Sequence, residues 1–488
     1  MIKGQILAGK FGDILVREKK GAKLEIGELL IVQGEPNTLV QVTDLMYSSQ
    51  ISQQNLERIS GYELDMDEKI ELYELNHRAY KLAKVKALLD IGSENKQTKT
   101  IPETFALLRE IKSDDLKFLS KPHNLTIGKL RSGSKVLDLD ISLDTKKILS
   151  HHILISGTTG KGKSELMKNL IYNVSLSKQG SMIVFDPHDE YFGRNNLGLK
   201  GHCIYYTNKQ VPSGQRSLTI NIKMLRPDHF DFLDLSIPQK QAMYLFYKKY
   251  GKEWIKHIIS GSEIKDVQEI SLAVLKRQLK VLLDISYDNS LICRGIFSEV
   301  SGLNTVKDII NELEKTQIII IDSSNFSGNT ELLVASLITG EILKKYKHYN
   351  SIGELYHKPV INVVLEEAPR VIGKDVLARG PNVFGTIARE GRKFKIGITA
   401  LTQLPSLIPK EVLANMNTKI ILGTEMSSER TALIESASHD ISSDSKNIAG
   451  LNLGEAIVSS SFSPIAIPLK ISKFEPQKTK VKKTVMGL

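Results

Sequence analysis

Apolar and polar positions along this chain fall into three styles. Over residues 1–145, short apolar runs alternate with polar positions at 4–8, 13–17, 28–32 and 38–44, with Gly and Lys turns between them. That period predicts a small β-barrel or sandwich. Residues 65–87 turn helical and charged before a loop at Gly92, Ser93, Glu94 and Asn95. From residue 146 the style changes. Compact apolar runs at 152–156, 182–185, 318–321, 360–365, 396–401 and 419–422 are separated by helical stretches, which predicts a parallel sheet covered on both faces and an α/β domain over 146–475. Inside it, residues about 227–313 read as a helical insertion: Met243, Phe246, Tyr247 and Tyr250 keep helical spacing, as do Leu272, Leu275, Leu279 and Leu282. The aromatic stripe is a helix core face or a base-stacking platform, and its spacing favours the core. Residues 476–488 form a basic tail with Lys478, Lys480, Lys482 and Lys483.

Composition narrows the class. At about 150 residues per domain, 488 residues suggest about three domains. Hydrophobic residues at 41% and charged residues at 25% fit a folded globular protein and exclude disorder or collagen-like repetition. Cys203 and Cys293 are too few for a disulfide framework or a zinc cluster and read as reduced thiols. No apolar run of about 18 residues predicts a membrane span, and the first residues lack a secretory pattern, so a cytoplasmic location is expected. The net charge of +11 permits a polyanionic partner without identifying one.

The chemistry concentrates in Gly157, Thr158, Thr159, Gly160, Lys161, Gly162, Lys163 and Ser164, which satisfy G-x-x-x-x-G-K-[ST] at every fixed position. A strand pattern precedes them, and a helix with Met167, Leu170, Ile171 and Val174 on one face follows. Glycines let successive N–H groups point at phosphates, and the helix N-terminus adds positive potential. Lys163 is expected to reach the β- and γ-phosphates of ATP and Ser164 to ligate Mg²⁺.

Such a loop needs an acid at the end of a neighbouring strand, and two runs offer one. Residues 318–322 are four isoleucines and Asp322; residues 360–367 end in Glu366 and Glu367. The pair supplies two roles, Glu366 holding Mg²⁺ through its water shell and Glu367 accepting a proton from, or placing, the attacking water. Asp322 then reads as the end of another core strand. Arg389 and Arg392 lie in a basic cluster before the run 396–401, ordinarily a solvated helix end. Gln403, at the end of that run, is placed to sense the γ-phosphate or to position water.

The order and spacing of these motifs resemble the HerA family, hexameric DNA-translocating ATPases of the HerA/FtsK group. The resemblance runs from Met1 to about Phe474. It is carried by Gly4, Gln5, Ile6 and Leu7; by Gly27, Glu28, Leu29 and Leu30; by the phosphate loop; by Phe185, Asp186, Pro187, His188, Asp189, Glu190 and Tyr191; by Leu365, Glu366, Glu367 and Ala368; by residues 389–393; by Thr402 and Gln403; and by residues 454–458. It implies a RecA-like P-loop ATPase core behind an N-terminal HAS-type barrel, which HerA proteins share with ATP synthase subunits. It further implies ATP and Mg²⁺ as cofactors, a homo-hexameric ring around double-stranded DNA, and a NurA-type nuclease partner in end resection and recombinational repair. Arg392 becomes the trans arginine finger, with Arg389 as the second candidate.

The same core also serves conjugation, packaging and antiviral-defence motors, and a ring acting as scaffold and activator of an effector is the competing reading. Read alone, residues 186–191 would suggest a metal cluster around His188, but adjacent residues in one turn rarely converge on one ion. The chain departs from the family in having His151 before His152 where an arginine is frequent, Leu404 after the Thr-Gln pair, and Pro369 where a histidine is common. Lys147 is the nearest substitute for the missing arginine.

Overall fold

The computed structural model describes all residues except 67–77, 93–94, 122–123, 194–197, 266 and 476–488. The basic tail therefore lies outside the described residues. The chain forms two compact units: residues 1–122, 127–142 and 421–471 make the first, and residues 123–126, 143–420 and 472–488 the second.

The first unit holds a closed antiparallel barrel of six strands. Asp13–Glu18, Ile2–Lys10, Leu107–Glu110, Leu29–Val32, Asn37–Ser49 and Ala79–Ile91 pair in that order, and the last returns to the first. Alternation explains its core, because Ile6, Ile14, Val16, Val40, Val42 and Val85 all turn inward. The helical pattern of residues 65–87 is corrected at its end: residues 79–87 belong to the strand Ala79–Ile91, residues 67–77 lie outside the described residues, and the helix Gln53–Met66 begins earlier. Lys81, Lys84 and Lys86 interrupt the strand's apolar positions, so the run reads as a charged helix.

The C-terminal segment 421–471 packs into this first unit in addition to the stretch delimited at residue 145. Its strands Glu455–Ser460 and Ile467–Lys470 pair with each other and then with Leu125–Ser132. Lys446 pairs with Asp44 at 2.9 Å, and Lys86 with Asp440 at 2.8 Å.

The second unit is built on a parallel sheet. Its strands run Arg216–Ser217, Ile204–Thr207, Ile318–Asp322, Gly180–Asp186, Val360–Leu365, Ile396–Thr402 and Ile153–Ser156. Every neighbouring pair is parallel. The five central strands are buried along their whole length, as a sheet covered on both faces requires. The phosphate-loop residues follow the strand Ile153–Ser156, and all the apolar runs from residue 152 to residue 422 fall on strands.

Between Pro227 and Leu313 lie the helices Ile237–Tyr250, Trp254–Ser260, Glu269–Leu283 and Thr305–Glu314. Met243 and Phe246 are buried, which makes the aromatic stripe a core face. A hairpin, Ile285–Asp288 with Ser290–Cys293, interrupts the helices. No helix among the described residues is long and apolar enough to cross a membrane.

Candidate active site

The carboxyl ends of parallel strands share one edge of the sheet, where ligands of open α/β folds bind. Register decides what meets there. Ser156 pairs with Thr402, Leu365 with Ala400, and Phe185 with Leu365, so the residues following these strands emerge side by side. They are the phosphate loop, Gln403, Glu366 with Glu367, and Asp186.

The loop turns through Gly160 at φ 79° and Gly162 at φ 104°, conformations in which a Cβ would be strained. Gly162 caps the helix Lys163–Ser177, whose inner face buries Leu166, Met167, Leu170, Ile171 and Val174. Ser164 is therefore in the first turn, beside the unpaired N–H groups. Lys163 Nζ donates to the carbonyls of Gly157 at 2.7 Å and Thr158 at 3.2 Å. Burial lowers the pKa of this ammonium, while the charges of Glu366 and Glu367 pull it back up. The lysine and both glutamates thus share one electrostatic site.

Glu366 is held by the Tyr191 hydroxyl, which donates to its Oε1. Burial pushes its carboxyl up to about 6; the Tyr191 bond opposes that shift, and the charges of Asp186 and Glu190 add to it. Glu367 takes φ 49°, a left-handed conformation costing a non-glycine residue about 1–2 kcal/mol. That turn ends the strand, and the N–H of Ala368 next donates to the Leu401 carbonyl. On the other flank, Thr159 Oγ1 donates to Gln403 Oε1 at 2.8 Å, so Gln403 touches the loop directly.

Asp322 is occupied elsewhere. It is fully buried and accepts from Tyr205 OH at 2.9 Å, Thr207 Oγ1 at 2.7 Å and Ser324 N at 3.1 Å, with Lys209 Nζ at 3.2 Å. Burial would raise its pKa, but bonds from Ser324, Thr207 and Tyr205 outweigh that and hold it below the usual carboxylate value. With its oxygens so engaged, it is a poor metal ligand.

Arg389 and Arg392 do not join this group within one chain. Both are exposed and precede the strand Ile396–Thr402, whereas Gln403 follows it. Seven residues at about 3.3 Å each put roughly 20 Å between the two ends. Arg392 lies instead near His151, whose pKa is lowered by burial and, to a smaller extent, by that charge. Lys147, in the helix Thr145–Ser150, is on the same far edge. Of the basic residues after the acidic pair, Arg370 is bound to Glu331 at 3.1 Å, Lys374 donates to the Ser406 carbonyl at 2.7 Å, and Arg379 is exposed.

Sequence reasoning passed over Tyr191 as the partner of Glu366 and Asp186 as the organiser of the turn that carries it. An aspartate closing an apolar strand, with Pro and polar residues next, is the available signal for such a side-chain-capped turn.

The sequence profile of the family described as "Helicase HerA, central domain" matches residues 125–342. A probable helicase of Methanocaldococcus jannaschii is 27% identical over 426 residues, 84% of this chain and 79% of that one. The DNA double-strand break repair helicase HerA of Sulfurisphaera tokodaii is 25% identical over 404 residues, 81% of this chain and 79% of that one. Among solved structures, VirB4 of Thermoanaerobacter pseudethanolicus is similar at 14% identity and a TM-score of 0.48, covering 73% of this chain and 98% of its own. The chain is thus similar over most of its length to HerA helicases, with the central-domain profile lying over the phosphate loop.

Proposed function

We propose that this chain is a Mg²⁺-dependent ATPase that assembles as a ring, six-fold as in the family, and moves along double-stranded DNA. The observation that carries the reading is the gathering of Lys163, Ser164, Glu366, Glu367 and Gln403 at one sheet edge around a glycine-bent loop. These residues fit a nucleotide with a divalent cation: the loop bends through Gly160 and Gly162 at positive φ, no atom stands within 4 Å of a Cβ placed on Gly160, and the charges of Glu366 and Glu367 act on the Lys163 ammonium. When bound, Mg²⁺ supplies charge neutralisation on the β- and γ-phosphate oxygens.

Lys163 would then hold the β- and γ-phosphates, and the Ser164 hydroxyl and Glu366 would hold the metal. Glu367 orients water and takes its proton, and Gln403 reports the γ-phosphate to the loop through Thr159. Arg392 of a neighbouring copy, or failing that Arg389, meets the γ-phosphate across the boundary. Contacts to DNA fall on phosphates, so binding has little sequence preference and weakens steeply with salt. The effector is a NurA-type nuclease fed with duplex during end resection.

The test is steady-state ATP hydrolysis with and without linear duplex, beside a light-scattering mass. Turnover should rise with duplex in a particle of about six chains, the stoichiometry that the resemblance to hexameric HerA proteins implies. Glu367→Gln should lower kcat by about 10²–10⁴-fold and keep ATP binding, the span expected for losing a proton acceptor. Turnover indifferent to DNA but raised by a protein effector would replace the motor with a scaffold.

A further inference from the structure

The segment after the strand Gly180–Asp186 stands out in the sequence and has no part in the scheme above. Asp186, 1% exposed, accepts three backbone N–H groups: His188 and Glu190 at 3.2 Å and Tyr191 at 2.9 Å. One side chain thus closes the whole turn. The turn is braced on its other side by Asp189, at φ 54°, which accepts from Tyr205 OH at 2.7 Å and Lys209 Nζ at 3.3 Å. The same tyrosine and lysine reach Asp322. Phe192 stacks on Tyr205 with centroids 4.1 Å apart, which fixes the residue after Tyr191 as well.

All of this delivers one group. The Tyr191 ring is 1% exposed, and its hydroxyl ends on Glu366 Oε1, at the end of the adjoining strand. A carboxylate at a strand end rotates freely about its last bond unless something holds one oxygen. Here the phenol holds Oε1 and so fixes the plane in which Oε2 is presented.

We propose that Tyr191 is a positioning residue for the Glu366 carboxylate, with Asp186 locking the turn that aims it, so that Glu366 addresses the divalent cation of a bound nucleotide in one orientation. This rests on the reading of Glu366 as a metal-side acid. Outer-shell partners of metal ligands orient them in the same way, and removing one costs about 10–100-fold in metal affinity or activity. The bracket also gives Asp322 a place: it anchors Tyr205 and Lys209, which hold the far side of the turn.

The test uses the full chain and Tyr191→Phe, which keeps the ring and removes only the hydroxyl. Two affinities are measured at one pH: Mn²⁺ for the ADP-loaded protein, by the resonance signal of free Mn²⁺, and a fluorescent ATP analogue in chelator. Tyr191→Phe should weaken Mn²⁺ binding about 10-fold or more and leave metal-free nucleotide binding within about twofold, the split expected when only a ligand's orientation is lost. Unchanged Mn²⁺ affinity would overturn the proposal. So would an equal fall in both affinities, or failure of the variant to fold, since either makes the hydroxyl a general support. If the unaltered protein shows no Mn²⁺ binding with ADP, the reading of Glu366 itself fails rather than the role of Tyr191.

Discussion

A lysine with no exposed surface carries a cost that pH can remove. Lys419, fully buried, donates to the Met416 carbonyl at 2.8 Å, and burial lowers its pKa to about 8. Because the folded-state value is depressed, the destabilisation is complete below pH 8 and disappears as pH rises toward the unfolded value of 10.5. Lys419→Met should therefore raise the thermal midpoint at pH 6.5, a gain of about 2 kcal/mol once the lost hydrogen bond is deducted. The gain should shrink by more than half at pH 9.5. A gain independent of pH would show that packing, not charge burial, sets the cost. Candidate site residues differ in what in the sequence points to them. Lys163 and the Glu366–Glu367 pair are singled out because each sits in a contiguous pattern whose chemistry is local. The Tyr191 bond to Glu366 spans 175 positions and depends on two strands lying side by side, so no local pattern announces it. Asp322 illustrates the converse: its strand resembles a metal-acid strand, and only the bonds from Tyr205, Thr207 and Ser324 show that its oxygens are taken.

At the level of elements, the strand Ile396–Thr402 separates two candidate site residues, since Gln403 follows it and Arg392 precedes it. Its second residue is Gly397, where a Cβ would stand 1.8 Å from the Leu149 carbonyl oxygen. That carbonyl already accepts from buried Asn362 Nδ2 at 2.8 Å, and Thr399 Oγ1 donates to Asn362 Oδ1 at 2.6 Å. Neither the strand nor the helix Thr145–Ser150 can move without breaking this set. Gly397→Ala should thus cost about 1–3 kcal/mol, the range for forcing volume into a packed core. Calorimetry should show a lowered midpoint, and nucleotide binding should weaken with it because Gln403 shifts against the loop; an unchanged midpoint would mean that the strand gives way cheaply. The five buried runs between residues 152 and 401 are plain in the sequence because parallel strands buried on both faces are uniformly apolar. The strand Ala79–Ile91 is not, because Lys81, Lys84 and Lys86 disguise its period. The hairpin Ile285–Asp288 with Ser290–Cys293 is masked for a different reason: its strands are four residues each, shorter than the helical windows on either side.

For the molecule as a whole, the separation of the arginines from the loop is the decisive fact. Arg392 and Lys163 belong to opposite ends of parallel strands, so a site using both needs two chains in head-to-tail contact, as in the proposed ring. That arrangement makes a mixing experiment sharp. Glu367→Ala removes the acid on the loop side of each boundary, and Arg392→Ala removes the cation on the other; each alone should leave a ring with little turnover. Co-expressed in equal amounts, the two variants share boundaries at random, and a boundary works only where an Arg392→Ala chain supplies the acid and a Glu367→Ala chain supplies the arginine. In a heterologous ring that happens at about one boundary in four, so roughly a quarter of normal turnover should return. A ring that must fire in strict order would recover less, yet still more than either parent. No recovery at all, with mixed rings verified by mass, would exclude Arg392 as the residue contributed across the boundary. The same mixture made with Arg389→Ala then decides whether the neighbouring arginine takes that place, because only the true contributor restores sites when it is split from Glu367.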